Sequence, residues 1–172
     1  MSIKVNRLTN GNMYINGNSF FGTVEEVGLP DVKAKYAEHK ALGMNGSVEL
    51  PSGIDKMEAK IKFNAPYANA MKLAANPYEM HSLMFRGSLE TYEGSQRVNQ
   101  VPYKCVMKAG FKNVNTGNMK QHDNVEMEST LNVTYCKLEI DGEEIFEVDV
   151  LNNIHKVDGV DILATYRQNL GI

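Results

Sequence analysis

The chain has 172 residues, of which 42% are apolar and 23% charged, with a formal net charge of −3. That length and balance suit one globular domain with a real core, spanning 1–172. They exclude a membrane helix, because no run approaches about 20 apolar residues, and they disfavour duplex binding through many basic phosphate contacts.

The opening MSIKVNRLTNGN has no apolar run of signal-peptide length, so a protein assembled in a cytoplasm is expected. NMYINGNSFFGTVEEVGL carries the first hairpin signal, with Asn16-Gly17 as a two-residue turn between Met13–Ile15 and the Phe20 to Val27 run. After Pro30, Val32, Ala34 and Tyr36 alternate with lysines up to His39. Residues 41–56, ALGMNGSVELPSGIDK, mix three glycines and a proline with Leu42, Met44, Val48 and Leu50. A long surface hairpin and a reaching arm both fit this stretch. The apolar side chains favour the arm, because they require a partner surface.

Met57, Ala59, Ile61 and Phe63 then alternate with Glu58, Lys60 and Lys62, the pattern of a half-buried strand. A helix is expected next, capped by Asn64 or Ala65, with Pro66 in its first turn and Asn76-Pro77 ending it. Tyr67, Ala70, Met71 and Ala74 form its buried stripe. MHSLMFRGSLETYEG reads as a strand with Leu83, Phe85 and Leu89 on one face. Two long strands follow. Val101, Tyr103, Cys105, Met107, Ala109 and Phe111 face inward on the first; Val125, Met127, Leu131 and Val133 do so on the second. Pairing through a turn at 113–124 would set Lys112 near Glu126, and Lys108 near Glu128 or Thr130. The apolar phase changes near Tyr135-Cys136, which predicts a bulge or a switch between sheets. Asp141-Gly142 closes a hairpin onto EIFEVDVL. The last helix takes Asp158 as N-cap and Asp161 near its positive end. Its apolar stripe is Ile162, Leu163, Tyr166 and Leu170, and Gly171 stops it.

No catalytic, metal or cofactor constellation is legible. His39, His81, His122 and His155 are scattered, and no nucleophile elbow, phosphate loop or dinucleotide fingerprint occurs. The acidic run Glu139, Asp141, Glu143, Glu144, Glu147 and Asp149 straddles a hairpin and reads as a solvated face. Cys105 and Cys136 read as two small buried apolar residues.

Several stretches together resemble the major tail tube proteins of contractile-tailed bacteriophages, a family shared with the tube proteins of R-type pyocins. They are YINGNSFFGTVEEVGLP, GMNGSVEL followed by MEAKIKF, FRGSLE, and the block YCKLEIDGEEIFEVDVLNNIHKVDGVDILATYRQNLGI. The resemblance implies a mainly β (α+β) fold: a β-sandwich or half-barrel of antiparallel strands with one flanking helix and a short C-terminal helix. It implies hexameric rings stacked into a hollow tube inside a contractile sheath, a virion structure assembled in the host cytoplasm. Its partners would be other copies of the chain, the tail sheath protein, the baseplate and tail terminator, and a tape measure protein in the lumen. DNA would pass without specific binding, and no cofactor or stable membrane association is implied.

On that resemblance the protruding loop at 41–56, with Leu42, Met44, Val48 and Leu50, contacts the adjacent ring. The C-terminal helix, with Ile162, Leu163, Tyr166, Arg167 and Leu170, lies at a subunit boundary. The polar row Glu126, Glu128, Thr130 and Asn132 is the candidate lumen face. An inner tube of a phage-tail-like bacteriocin or contractile secretion machine, carrying no genome, is the alternative. A monomeric small-molecule-binding β-barrel is a remoter one.

Overall fold

Period-two patterning dominates the chain, and the computed structural model, which describes residues 3–172, is built on one ten-stranded antiparallel sheet. Its longest run passes from β1 (Lys4–Ile15) through β7 (His81–Glu93) and β8 (Gln96–Phe111) to β9 (Met127–Ile140). Beyond β9 the sheet forks. Met127 to Val133 pair with β6 (Met57–Phe63), which in turn pairs with β3 (Val24–Gly28). Tyr135 to Ile140 pair instead with β10 (Glu143–Asp149), followed by β11 (Ile154–Val157) and β12 (Val160–Asp161). β3 returns to face β1 across a cleft of about 450 Å³, so the path β1-β7-β8-β9-β6-β3 is a half-open barrel and β10–β12 form a flap on its side.

The fork explains the phase change. Val133 opposes Ala109 and Tyr135 opposes Lys108, so Thr134 is the extra residue of a bulge. Before it Met127, Leu131 and Val133 are buried; after it Cys136 is. The expected register of the long strands is corrected: Phe111 pairs with Leu131, and the Lys112 amide donates to Thr130, not near Glu126. The acidic start of β9 lies against β6 instead. No local pattern reveals that insertion, because the paired residues Lys60 and Glu128 lie 68 positions apart in the chain.

The interior follows the alternation. Ile15, Ile61, Leu83, Ala109 and Leu131 have no exposed surface, and Phe63 and Phe111 are almost as deeply buried. Each large side chain of this kind contributes about 1.5–3 kcal/mol by leaving water. Phe63 packs edge-on against Phe20 and Tyr67. Helix α1 (Ala68–Ala74) seats Ala70 and Ala74 on the core, but its N-cap is Tyr67, so it starts later than Asn64 or Ala65. The Tyr67 hydroxyl donates to Asn64 Oδ1, which ties that segment into a bend.

The Asn16-Gly17 turn forms, with φ of 49° and 81°. The strand after it, β2 (Asn18–Ser19), is only two residues long, and the Phe20 to Val27 run splits between a turn and β3. Asn16 also clamps β7: its Oδ1 accepts from the Ser82 amide and its Nδ2 donates to Nδ1 of buried His81, which leaves the histidine proton on Nε2. Asp158-Gly159 is likewise a hairpin turn, φ 50° and 75°, joining β11 to β12. Asp158 is therefore not the helix cap. Helix α2 (Ala164–Leu170) begins after Leu163 and ends at left-handed Gly171. Ile162 and Leu163 precede it.

Candidate assembly surfaces

An arm leaves the barrel between β3 and β6. Strands β4 (Ala34–His39) and β5 (Val48–Ile54) pair only with each other as a separate two-stranded sheet. The arm is longer than residues 41–56 and largely ordered as strand, since Val48 to Ile54 are β5 and the irregular tip is only 40–47. Leu42 is fully exposed, and Met44, Val48 and Leu50 are exposed around and behind it. One ribbon face carries Ala37 opposite Leu50 and His39 opposite Val48; the other carries Tyr36 opposite Pro51 and Glu38 opposite Glu49. At the root, the Asp55 amide donates to Lys33 O (2.8 Å). The Lys56 amide and then Lys35 hold the Asp55 carboxyl below its ordinary value.

A second surface is the outer wall of β3, β6 and the first half of β9. Lys62 bridges Glu126 (2.7 Å) and Glu25 (3.3 Å), Lys60 meets Glu128 (3.1 Å), and Glu58 takes Lys112 (2.5 Å) and Lys56 (3.1 Å). Lys60 stands opposite Thr130 and Glu58 opposite Asn132. Lys62 is raised, chiefly by Glu126, and Glu58 is lowered, chiefly by Lys112. The row Glu126, Glu128, Thr130, Asn132 thus stays on the outside of the chain, in a wall where lysines and glutamates balance. Exposed pairs of this kind add little stability.

The flap continues the outer face; of its acids, Glu139, Glu144 and Glu147 are ion-paired, while Asp141 and Glu143 are exposed. Lys104 meets Glu139 (2.8 Å), Lys137 meets Glu139 (2.9 Å) and Glu144 (3.1 Å), and Lys156 meets Glu147 (2.6 Å). Lys104 and then Lys137 hold Glu139 below its ordinary value; Lys156 and then the Tyr135 hydroxyl do so for Glu147. Burial first, and then Glu147, pushes Tyr135 up. Arg167 donates to Asp161 (2.6 Å) and to Asn153 O (2.8 Å), so it pins α2 to the flap instead of reaching outward. Ile162, Tyr166 and Leu170 remain exposed, and α2 has no buried residue.

The family described as phage tail tube protein FII matches this sequence over residues 5–171. The chain belongs to the phage tail tube protein family. The tail tube protein of Escherichia phage P2 is 32% identical over 165 residues, 94% of each chain. The major tail tube protein of Serratia phage KSP20 is 25% identical over 150 residues, 87% of this chain and 86% of that one. A chain in the six-fold-symmetrised cryo-EM structure of the anti-feeding prophage baseplate is a distant likeness: TM-score 0.47, 14% identity, with 81% of this chain and 91% of that one covered.

As a tail tube protein of contractile phage tails, the chain is a structural component of the virion that assembles with copies of itself. No described helix is long and apolar enough to cross a membrane. The tube protein's arm and α2 segment expose apolar side chains, and its outer wall exposes ion-paired ones. The sequence reading named residues on each. It missed the outer edge of β1 before Tyr14, which no other described strand pairs and whose segment Lys4 to Asn10 is exposed and carries no apolar alternation.

Proposed function

We propose that this chain closes into hexameric rings, and that the rings stack into the hollow inner tube of a contractile tail, the conduit for genome ejection through the host envelope. The observation that carries the reading is the arm: a self-paired ribbon with Leu42, Met44, Val48 and Leu50 in solvent, held clear of the main sheet. A folded domain that spends four large apolar residues on an outlying ribbon requires a second surface to cover them. In this reading the arm bridges to the adjacent ring.

Ring closure uses the unpaired strand edges. A head-to-tail interface that closes leaves no edge free, which removes the hazard of uncontrolled strand addition. The row Glu126, Glu128, Thr130 and Asn132 lines the lumen, where ion-paired lysines hold DNA weakly enough for it to slide. Ile162, just before α2, and Tyr166 and Leu170 on it pack at a subunit boundary, with Arg167 fixing their presentation. The sheath, the baseplate, the tail terminator and a tape measure protein are the remaining partners. The chain's work is mechanical and performs no catalysis.

Negative-stain microscopy with light scattering tests this on the purified protein. Stacked rings with sixfold end views are expected. A species that remains monomeric at every concentration would reject the reading.

A further inference from the structure

Glu38 and Glu49 stand directly opposite each other on β4 and β5, both exposed. Opposed residues on antiparallel strands have Cβ atoms about 4.5–5.5 Å apart, and like charges there destabilise the pair. Neither carboxylate has a counter-ion among the described residues. The arm accepts this repulsion beside Tyr36, on a ribbon hydrogen-bonded to no other described strand and resting on the core only at its root, through Ile54.

The opposite imbalance occurs on the outer face of the barrel. Arg86 stands opposite Lys104 across β7 and β8, again like against like. Lys104 is committed to Glu139, and the nearby carboxylates Glu139 and Glu144 are shared with Lys137. On its other side Arg86 faces Asn12, whose amide is turned to Ser19 Oγ. Arg86 is therefore an exposed guanidinium with no anion among the described residues, at the rim of an open depression it shares with Pro102, Lys104, Glu139 and Gly142. Lys108, also unmatched, is about 13 Å further along the strand from Lys104, outside the reach of one carboxylate pair.

We propose that the Glu38–Glu49 pair of one copy docks on Arg86 of a second copy. The guanidinium fork matches carboxylate oxygens in a way an ammonium does not, and one contact relieves both like-charge oppositions. The arm's apolar face, Ala37, Leu50 and Val48, is left to the rest of the interface. The inference rests on the tube-assembly reading and names the pairing that holds the arm.

A charge swap tests it. Glu38→Lys with Glu49→Lys, and separately Arg86→Glu, each raise the critical concentration for tube growth by about tenfold or more. One chain carrying all three changes grows tubes again near the wild-type concentration. All sites are exposed, so urea midpoints stay at the wild-type value. If a reversal lowers that midpoint, the neutral variants Glu38→Gln, Glu49→Gln and Arg86→Gln report the same direction with a smaller effect. Normal growth of the single reversals overturns the proposal and leaves the carboxylates as solubility charges on an edge hairpin. So does failure of the combined chain to recover. Arg86→Glu tubes that form normally but deliver DNA differently would assign Arg86 to phosphate instead, which also overturns it. Wild-type protein that never forms tubes sinks the assembly reading itself, and this pairing with it.

Discussion

The Asp55 amide donates to the carbonyl oxygen of Lys33 at 2.8 Å, closing the neck of the arm before either strand of the ribbon begins. Because the two ends already touch, and Ala34 pairs with Ile54, which packs on the core, residues 35–53 can be replaced by a Gly-Gly bridge without moving β3 or β6. The excised protein is expected to keep the circular dichroism and melting temperature of the parent and to form no tubes. Normal-length tubes in micrographs of the excised protein would contradict the assignment of the arm to ring stacking.

Leu131 has no exposed surface and lies between Ala59 on β6 and Phe111 on β8. It sits where three strands of the barrel share one packing layer, so the site cannot collapse when it is emptied. Leu131→Ala is expected to cost about 2–5 kcal/mol in urea unfolding and to reduce tube yield through loss of folded subunit. A cost under about 1 kcal/mol would show that the barrel relaxes around the gap.

Thr130 tests the lumen. The native thiols Cys105 and Cys136 are buried, 2% and 1% exposed, so a cysteine introduced at Thr130 is the only one within reach of reagent in the folded protein. In assembled tubes, Thr130→Cys is expected to react with a small maleimide entering from the ends and not with a maleimide on a large polymer. Equal labelling by both reagents would place this wall on the outside of the tube.

The flap lattice predicts an acid limb. Glu139 and Glu147 are held below the ordinary carboxylate value in the folded chain. A depressed folded value gives stability that is complete above the unfolded value, about 4.3, and is lost as pH falls through the lower folded values. Melting temperature is therefore expected to be flat with respect to these groups above about pH 5.5 and to fall below pH 4.5. Solvent screening keeps the contribution of each pair small. Glu139→Gln with Glu147→Gln should then lower the melting temperature at pH 7 by a few degrees, at about 2–4 °C per kcal/mol, and flatten the acid limb. An unchanged acid limb would exclude these carboxylates as its cause.

Much of the barrel was legible because one face of each central strand is buried. Met57, Ala59, Ile61 and Phe63, and Cys105 to Phe111, alternate cleanly and are buried as their pattern demands. Asn16-Gly17 and Asp141-Gly142 were legible because few residues other than these tolerate positive φ at both turn positions. Lys4 to Asn10 was not, since both faces of that strand segment meet solvent and no alternation is enforced. Asp158-Gly159 misled because aspartate serves helix caps and tight hairpins equally well, and only the pairing of Val157 with Val160 decides between them. The arm's apolar residues were visible in the sequence. Its starting point at Ala34 was not, because a ribbon paired only with itself has no buried side to mark its phase. The unmatched charges Glu38, Glu49 and Arg86 emerged only from register, which places distant residues opposite one another.

β9 belongs to the barrel for its first half and to the flap for its second, with Thr134 at the crossing. A load entering through α2 and β10–β12 meets the barrel along the covalent backbone of one strand, besides the hydrogen bonds β9 makes to β8 and the packing of Val148 and Phe146 on the shared core. In the stacked-ring assembly proposed above, thrust on a subunit travels through it along a peptide spoke that cannot slip in register as two strands could.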